Sequence, residues 1–339
     1  MGKKERAQER REKRRQEISL LRTIPYSDHQ RWWSTDTIAV VTGANRGIGF
    51  EIAHQLASHG LTVVLTSRET HVGKEAAKVM QEGGLNVVFH QLDIVDPTSI
   101  QLFSDWIKEK YGGLDILINN AGVNFNFGTD NSVEFAETVI RTNYFGTKSM
   151  IKAMIPLMRP SPFGARIVNV TSRLGRLNGR RNRIANVSLR QQLEDVDSLS
   201  EELIDSTVRI ANVSLRQQLE DVDSLSEELI DSTVSTFLDQ VKDGTWISGG
   251  WPQVFTDYSL SKLAANAYTR LMAKILSDRP DGHKIYMNCY CPGWVKTAMT
   301  AWAGHTSPVD AADTAVWLAL LPDQFVSGKF FAERREINF

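Results

Sequence analysis

The sequence predicts an α/β protein built on a doubly wound, seven-stranded parallel sheet with helices on both faces. From Thr37 onward, short β-branched runs alternate with amphipathic stretches, a pattern typical of βαβ units. Two of these amphipathic stretches end at Gly60 and Gly112, where glycine favours a left-handed helix C-cap. A glycine-rich segment at 42–49 lies between the first strand and the first helix. Together these features indicate one large domain.

The predicted strands follow one another at regular intervals along the chain. Crossover helices between them make them parallel, and they are residues 37–41, 61–67, 86–92, 114–120, 165–172, 284–290 and 327–331. We therefore interpret residues 37–339 as a single domain. Residues 1–36 are expected to form a charged N-terminal arm, because the first seventeen contain eight basic and four acidic side chains and no apolar run.

The alternation of strands and helices is interrupted by an insertion at residues 173–257. Within it, the sequence at 183–208 recurs without change at 209–234. Two copies are too few to bury a shared solenoid core. A Ser-x-x-Glu pattern, beginning at Ser198 or Ser224, predicts the start of a short helix in each copy. We expect one copy to pack against the domain and the other to loop out, with a gene-model error as an alternative origin of the repeat.

Charge and composition exclude several classes of protein. The chain has 39 basic and 40 acidic side chains, a balance that argues against nucleic acid as its main binding partner. No apolar run approaches the roughly 18 residues of a membrane span, and the basic N-terminus lacks the apolar core of a secretory signal. Cys289 and Cys291 suit neither a disulfide framework nor a zinc site. We expect a cytosolic protein without a metal site, a nucleic-acid partner or a membrane span.

The segment at 42–49, Thr-Gly-Ala-Asn-Arg-Gly-Ile-Gly, has the spacing and position of a dinucleotide-binding loop. The first glycine allows a tight turn, the second lets a pyrophosphate approach the backbone, and the third permits close packing of the helix. The helix N-terminus adds free N–H groups and the positive end of its dipole. The predicted cofactor contacts here are Gly43, Asn45, Arg46, Gly47, Ile48 and Gly49.

The end of the second strand indicates which dinucleotide is bound. The strand ends Thr-Ser-Arg, with Ser67 and Arg68 where an acid would otherwise bind a free ribose 2′-hydroxyl. A guanidinium pairs well with a 2′-phosphate, and Arg46 in the glycine loop can approach the same group. These arginines favour NADP(H) over NAD(H), the alternative being that both are simply solvated.

Further polar residues and turns follow the later strands, at the edge where a doubly wound sheet binds its ligand. Asp93 can accept a hydrogen bond from an adenine amino group, and Asn119 can fix the loop beside the adenosine half, although both are also common turn residues. The hydroxyl of Thr297 can reach the nicotinamide amide. The predicted contacts at this edge are Asp93, Asn119, Ala121, Gly122, Pro292, Gly293, Val295 and Thr297.

Tyr258 and Lys262 are four positions apart, so on a helix they share a face. A close, partly desolvated ammonium lowers the pKa of a phenol from about 10 towards 7, which would let Tyr258 act as an acid or a base. Ser172 ends the fifth strand, where its hydroxyl can hold a carbonyl oxygen. Asn143, after the Asn-Asn-Ala-Gly motif, can hold a water that relays protons to Lys262. These four residues are the predicted catalytic group, and Tyr258 and Lys262 are also expected to contact the cofactor.

In this order, TGANRGIG, NNAG, Asn143, VTS, YSLSK and PGWVKT resemble the short-chain dehydrogenase/reductase family over residues 37–339. The long interval between Ser172 and Tyr258 is similar to that of the monomeric carbonyl reductase branch, which includes plant menthone, neomenthol and salutaridine reductases. The resemblance implies a Rossmann fold, a catalytic tetrad of Asn143, Ser172, Tyr258 and Lys262, and a monomer, because the inserted helix of that branch covers the surface on which other members dimerise. The repeat is not part of the family's pattern.

The resulting expectation is an NADPH-dependent reductase of a hydrophobic ketone or aldehyde, or an alcohol dehydrogenase in reverse, with Tyr258 as the proton donor. Side chains suited to a hydrophobic substrate pocket, each of which could instead be core, are Phe125, Phe127, Trp246, Trp251, Trp294, Met299 and Trp302. Two alternatives stay open. One is a retinoid or steroid dehydrogenase, and the other is a protein that binds NADP without turnover and recruits a partner through its acidic repeat.

Overall fold

The computed structural model describes most of the predicted domain, and the described residues are 31–125, 132–176, 212–252, 255–322 and 326–339, with Lys13, Gln16, Glu17, Ser19 and Leu20 upstream. Phe127 and the first copy of the repeat, at 183–208, lie outside them. Among the described helices, none combines the length and the apolar character that crossing a bilayer requires.

One eight-stranded sheet runs through the described residues. Its strands are β1 (Ile38–Val41), β2 (Thr62–Ser67), β3 (Val87–Gln91), β4 (Ile116–Asn119), β5 (Ala165–Val170), β6 (Ile285–Tyr290), β7 (Phe330–Ala332) and β8 (Arg335–Ile337). Their order is β3-β2-β1-β4-β5-β6-β7-β8, and β1 to β7 are parallel. The seven predicted strands are confirmed. The order reverses between β1 and β4, which opens a crevice at their carboxyl ends.

The sequence does not predict the eighth strand. β8 runs antiparallel to β7 after a two-residue turn at Glu333 and Arg334, whose φ values are 54° and 58°. Glycine, asparagine or aspartate usually occupies such a turn, so the usual sequence signal is missing. The turn is held because Arg334 pairs with the Asp313 carboxylate (2.5 Å) and its N–H donates to Thr314 Oγ1 (3.1 Å). The seven-stranded prediction is therefore one strand short.

Helices flank the sheet on both faces. They are α1 (Gly47–Ser58), α2 (Thr70–Glu82), α3 (Pro97–Tyr111), α4 (Val133–Ile140), α5 (Thr147–Met154), α6 (Val213–Glu220), α7 (Glu227–Lys242), α8 (Thr256–Ser277) and α9 (Pro308–Leu320). A π-helical segment, Arg141–Gly146, joins α4 to α5. One hydrophobic core lies between the sheet and α3, α4, α5 and α8, and the other lies against α1, α2 and α9. The predicted single α/β domain is confirmed.

The packed body begins upstream of the predicted boundary at residue 37. Trp33 is 5% exposed, and its indole Nε1 donates to the His59 carbonyl (3.1 Å). Trp32 stacks on Phe163, with ring centres 6.2 Å apart. Both tryptophans pack against the core beside α1 and α9. Residues 32 and 33 therefore belong to the body, although the sequence pattern assigns them to the arm.

The second copy of the repeat packs against the body through α6 and the first half of α7. Its buried apolar side chains join the core beside α4, α5 and α8, and they are Leu219, Leu225, Ile230 and Val234. Arg270 of α8 donates hydrogen bonds to the carbonyls of Leu219 (3.0 Å) and Glu220 (2.6 Å). The copy that adjoins Ser235 is thus the packed one, while the looping out expected of the other copy falls outside the described residues.

Helix α7 begins two residues later than the predicted capping box. Its N-cap is Ser226, whose Oγ accepts a hydrogen bond from the Leu229 N–H (3.1 Å), whereas Ser224 Oγ donates to Asp221 (2.6 Å). The helix has 16 residues and continues past the repeat to Lys242. The prediction of a short helix starting from Ser224 is wrong: serine is a good N-cap at either position, but the Ser224 hydroxyl is bonded to Asp221 instead.

Deleting one copy of the repeat should leave the fold intact. Because the copies are identical, removing 183–208 or 209–234 gives the same chain, with one whole copy joined to Ser235. We expect the thermal midpoint to change little, since a twofold change in loop length alters the closure free energy by only about 0.6 kcal/mol. Calorimetry of the full and shortened chains measures this difference.

The shortened chain also provides its own control. In the shortened chain, Ile230 of the remaining copy should again be buried. Ile230→Ala should then lower the free energy of unfolding by roughly 2–5 kcal/mol. A loss of that size on deletion alone would show that both copies are needed.

Candidate active site

The carboxyl edge of the parallel sheet collects the predicted site residues. The glycine loop follows β1, Arg68 follows β2, and Asp93 follows β3. The Asn-Asn-Ala-Gly turn at 119–122 ends β4, Ser172 follows β5, and the segment 292–297 follows β6. Since parallel strands end at one edge, residues far apart in the chain meet around the crevice between β1 and β4.

The loops after β1, β4 and β6 approach each other closely, and a side chain at Gly43 would not fit. Gly43 has φ 61°, and a Cβ there would lie 2.9 Å from Ala121 Cα. Gly47 has φ 59°, and a Cβ there would lie 3.4 Å from Thr297 Cγ2. The two glycines thus leave a cradle of exposed backbone at the start of α1, as a pyrophosphate site requires.

Asn120, rather than Asn119, fixes the glycine loop. Asn120 Nδ2 donates to the carbonyls of Thr42 (2.9 Å) and Gly43 (3.0 Å). Asn119 is buried and donates across to Asn169 Oδ1 of β5 (2.8 Å). Asn119 therefore does not contact the glycine loop, because successive residues at the end of a strand point to opposite faces. Its contact with the adenosine half of a cofactor stays a prediction.

Two arginines are available to bind phosphate beside this cradle. Arg46 is the N-cap residue of α1 and Arg68 follows β2; both are exposed, and in the described parts of the chain neither guanidinium has a hydrogen-bond or ion-pair partner. The first turn of α1 contains no acid, and no side chain caps it. Its N–H groups and the two guanidiniums therefore fit a phosphorylated dinucleotide. Over the same described ranges, no cluster of three His, Cys, Asp or Glu side chains forms a metal site.

Asp93 is half-buried after β3, and its Oδ1 accepts a hydrogen bond from the Val95 N–H (3.0 Å). This bond makes Asp93 a turn residue. The contact of its other carboxylate oxygen with an adenine amino group stays a prediction.

Tyr258 and Lys262 lie on one face of α8, as their spacing predicts. The Lys262 Nζ is 5.5 Å from the ring centre of Tyr258 and donates to the Val170 carbonyl (3.0 Å). Burial lowers the pKa of Lys262 to about 8 and raises the pKa of Tyr258. The predicted lowering of the phenol pKa is wrong for this structure, because both charged forms lose hydration. Tyr258 therefore stays protonated at neutral pH.

Gly175 holds the loop that follows Ser172 against the helix that carries Tyr258. A Cβ at Gly175 would lie 2.4 Å from the Lys262 carbonyl carbon, so the two backbones are in direct contact. Asn266 Nδ2 also donates to the Gly175 carbonyl (3.0 Å). Sequence reasoning misses Gly175, because it lies at the start of an insertion that has no strand or helix pattern.

Asn143 and Lys262 meet around Gly122. Asn143 Oδ1 accepts from the Val123 N–H (2.8 Å), and its Nδ2 donates to the Val123 carbonyl (2.9 Å) and to Ser261 Oγ (3.1 Å). A Cβ at Gly122 would lie 3.1 Å from Asn143 Oδ1 and 3.5 Å from Lys262 Nζ. Asn143 thus fixes the turn after β4 to α8. The contact with Ser261 is another feature that the sequence pattern does not reveal.

A family model described as short chain dehydrogenase matches residues 37–213. The chain is 36% identical over 329 residues to (+)-neomenthol dehydrogenase of Arabidopsis thaliana, an alignment covering 90% of this chain and 99% of that protein. It is 34% identical over 312 residues to carbonyl reductase (NADPH) 1 of Bos taurus, with the same coverage of 90% and 99%. The chain belongs to the short-chain dehydrogenase/reductase family.

The solved structure of salutaridine reductase from Papaver somniferum is similar to this member of the family over most of its length. The two are 35% identical with a TM-score of 0.71, and the match covers 87% of this chain and 99% of that one. This short-chain dehydrogenase/reductase is therefore a Rossmann-type oxidoreductase that uses a nicotinamide cofactor.

The aromatic side chains of this oxidoreductase divide into core and accessible groups. Trp251 is 5% exposed, lies edge-on to Phe237 with ring centres 5.6 Å apart, and donates from Nε1 to Gln240 Oε1 (2.6 Å). Trp251 therefore packs the insertion, and its prediction as a pocket wall is wrong. The other described candidates are half-buried or exposed, and they are Phe125, Trp246, Trp294, Met299 and Trp302.

Asn120→Ala should weaken binding of the nicotinamide cofactor about tenfold or more. The substitution leaves the Thr42 and Gly43 carbonyls without their donor, a loss of about 1–3 kcal/mol at the glycine loop. Quenching of tryptophan fluorescence by NADPH and by NADH measures the affinity.

Asn86→Ala is the matched control. Asn86 Nδ2 donates to Thr62 Oγ1 (2.6 Å) at the opposite edge of the sheet. We expect a lower thermal midpoint with unchanged cofactor affinity. An equal loss of affinity in both variants would contradict the assignment of Asn120 to the loop.

Proposed function

We propose that this enzyme reduces a hydrophobic ketone or aldehyde with NADPH and oxidises the corresponding alcohol in reverse. The observation that carries the proposal is the backbone contact between Gly175 and Lys262, which holds the loop that follows Ser172 against the helix that carries Tyr258 and Lys262. The name of the bovine relative, carbonyl reductase (NADPH) 1, supports this chemistry.

In the proposed reaction, bound NADPH supplies a hydride to the carbonyl carbon. Tyr258 donates a proton to the carbonyl oxygen, since burial raises the pKa of its phenol and keeps it protonated. The Ser172 oxygen already accepts from the Leu174 N–H (3.2 Å), so its own hydrogen is left to donate to the substrate oxygen. Lys262, with a pKa of about 8, stays cationic at neutral pH and would bind the ribose hydroxyls of the cofactor. Asn143 orders the turn around Gly122 that faces Lys262, where a relay water fits this scheme.

The preference for NADPH is part of the same proposal. Arg46 and Arg68 have no partner in the described structure and flank the region where the adenosine ribose would lie. A 2′-phosphate would give both guanidiniums a charge-assisted hydrogen-bond acceptor. The cofactor contacts expected from the sequence are part of this proposal. The residue that holds the glycine loop in place is Asn120.

The insertion and the thiols support a cytosolic monomer. Helix α7 packs along α8, so the insertion covers that face of α8. Cys289 and Cys291 are free and buried thiols, which suits a reducing compartment.

The accessible side chains of Trp294, Met299 and Trp302, in the segment that follows β6, suit an apolar substrate.

Tyr258→Phe should abolish carbonyl-dependent oxidation of NADPH while leaving NADPH affinity nearly unchanged, because only the transferable proton is lost. Initial rates with a panel of terpenoid, steroid and aromatic ketones test the activity, and fluorescence titration tests the affinity.

Tyr268→Phe is the control on the same helix. Within the described ranges the buried Tyr268 hydroxyl has no hydrogen-bond partner, so its removal should leave activity unchanged. If the activity of Tyr258→Phe were within a few fold of wild type, Tyr258 would not be the proton donor.

Arg68→Ala should weaken NADPH binding at least about tenfold and NADH binding much less, since a hydrogen bond to a charged group contributes about 1.5–3 kcal/mol. Dissociation constants for both cofactors measure the difference. Lys74→Ala removes an exposed cation from the neighbouring helix α2 and should change neither. An equal loss of both cofactors in Arg68→Ala would show that Arg68 does not bind the 2′-phosphate.

A further inference from the structure

Asp231, in the packed copy of the repeat, contacts the segment that carries Asn143. Its Oδ1 accepts a hydrogen bond from the Tyr144 hydroxyl (2.6 Å), and its Oδ2 pairs with the Lys148 ammonium (2.5 Å). Tyr144 directly follows Asn143 in the chain. One carboxylate therefore joins the insertion to a residue adjacent to the active site.

Both partners of Asp231 are buried. Tyr144 is 1% exposed, and the Lys148 ammonium lies 5.7 Å from the ring centre of Tyr144 and 5.8 Å from that of Tyr268. Burial, followed by the neighbouring Asp231 carboxylate, raises the pKa of Tyr144, so its hydroxyl keeps its proton. Without Asp231 the hydroxyl would have no acceptor among the described residues, and Glu227 (2.8 Å) would be the one described carboxylate left to the ammonium.

Asn143 and Tyr144 lie within a π-helical segment, Arg141–Gly146. Such segments are rare, accommodate an extra residue in one turn and frequently occur at functional sites. Asn143 is held from one side by Val123 and Ser261, and Tyr144 is held from another side by Asp231. Adjacent residues of the widened turn are thus anchored to different elements of the protein.

We propose that Asp231 is a positioning residue for Asn143 and acts on it through the Tyr144 hydroxyl. This inference rests on the proposed function, because the role of Asn143 is defined by that reaction. It makes the inserted repeat part of the framework of the active site rather than only a cover for α8.

The test replaces the carboxylate in the full chain. In the first copy of the repeat, Asp205 corresponds to Asp231. The decisive variant therefore carries both Asp205→Ala and Asp231→Ala, so that neither copy can supply the carboxylate. We expect kcat for carbonyl reduction to fall about 10- to 100-fold, as a small displacement of a positioned group can do, with NADPH affinity unchanged. The matching asparagine pair, which keeps an oxygen to accept from Tyr144, should recover part of the loss.

The control is Asp197→Ala with Asp223→Ala. Asp223 belongs to the same packed copy and pairs with Lys274 (2.7 Å) on the exposed surface of α8, so it also joins the insertion to the body. It does not contact Tyr144, and we expect kcat to stay at the wild-type value. An equal fall in this control would reduce Asp231 to a general docking contact and overturn the proposal.

Asn143→Ala separates positioning from a second, independent effect. If Asp231 acts through Asn143, adding the two aspartate substitutions to Asn143→Ala should lower kcat little further. A fully multiplicative loss would overturn the proposal.

Tyr144→Phe keeps the test decisive if the aspartate variants fail to fold, because the buried ring is retained. We expect it to lower kcat, with the thermal midpoint and NADPH affinity close to wild type. Wild-type kcat in this variant would contradict the inference. Failure of the proposed function is distinct, since the wild-type enzyme itself would then show no carbonyl-dependent NADPH oxidation.

Discussion

The direct backbone contact between Gly175 and Lys262 is the constraint on which this active site depends. It sets the loop after β5, which begins at Ser172, against α8, which carries Tyr258, although the chain separates these two residues by more than eighty positions. The contact also fixes both ends of the insertion next to each other. Because the cost of closing a loop rises only slowly with its length, a chain anchored in this way tolerates a long insertion, and even its duplication.

Burial around the same contact sets the protonation of the site. Lys262 is enclosed by Val170, Gly122 and the Gly175 loop, and Tyr258 lies beside it on α8. Desolvation disfavours the ammonium and the phenolate alike. In the resting pair the Tyr258 phenol is therefore neutral, and the Lys262 ammonium loses its proton more readily than an exposed lysine does. A neutral phenol is a proton donor, which suits reduction. Oxidation of an alcohol needs the phenolate and is favoured by higher pH.

Much of the fold can be predicted from the sequence, because its elements have strong local signals. Seven strands, the glycine loop and the shared face of Tyr258 and Lys262 all follow from periodicity and spacing. The eighth strand does not, since Glu333 and Arg334 occupy a turn in which glycine is expected and a tertiary ion pair holds it.

The missed site features depend on contacts between distant segments. Whether Asn119 or Asn120 reaches the glycine loop is decided by which face of the sheet each residue occupies. The importance of Gly175 appears only when α8 is packed against it, and the core position of Trp251 appears only when Phe237 is in place. Local composition carries no information about such pairings.

The packed repeat has a consequence for the order of events during synthesis. The surface that receives it includes α8, which is made after both copies, so neither copy can dock fully before both have left the ribosome. Their own residues cannot decide between them, because they are identical. The residues that follow can: the buried Phe237 comes after the second copy, whereas Ala211 holds the equivalent position after the first. Replacing a buried phenyl ring by alanine costs about 3–5 kcal/mol, so packing of the copy beside Ser235 is favoured at equilibrium whichever copy is made first.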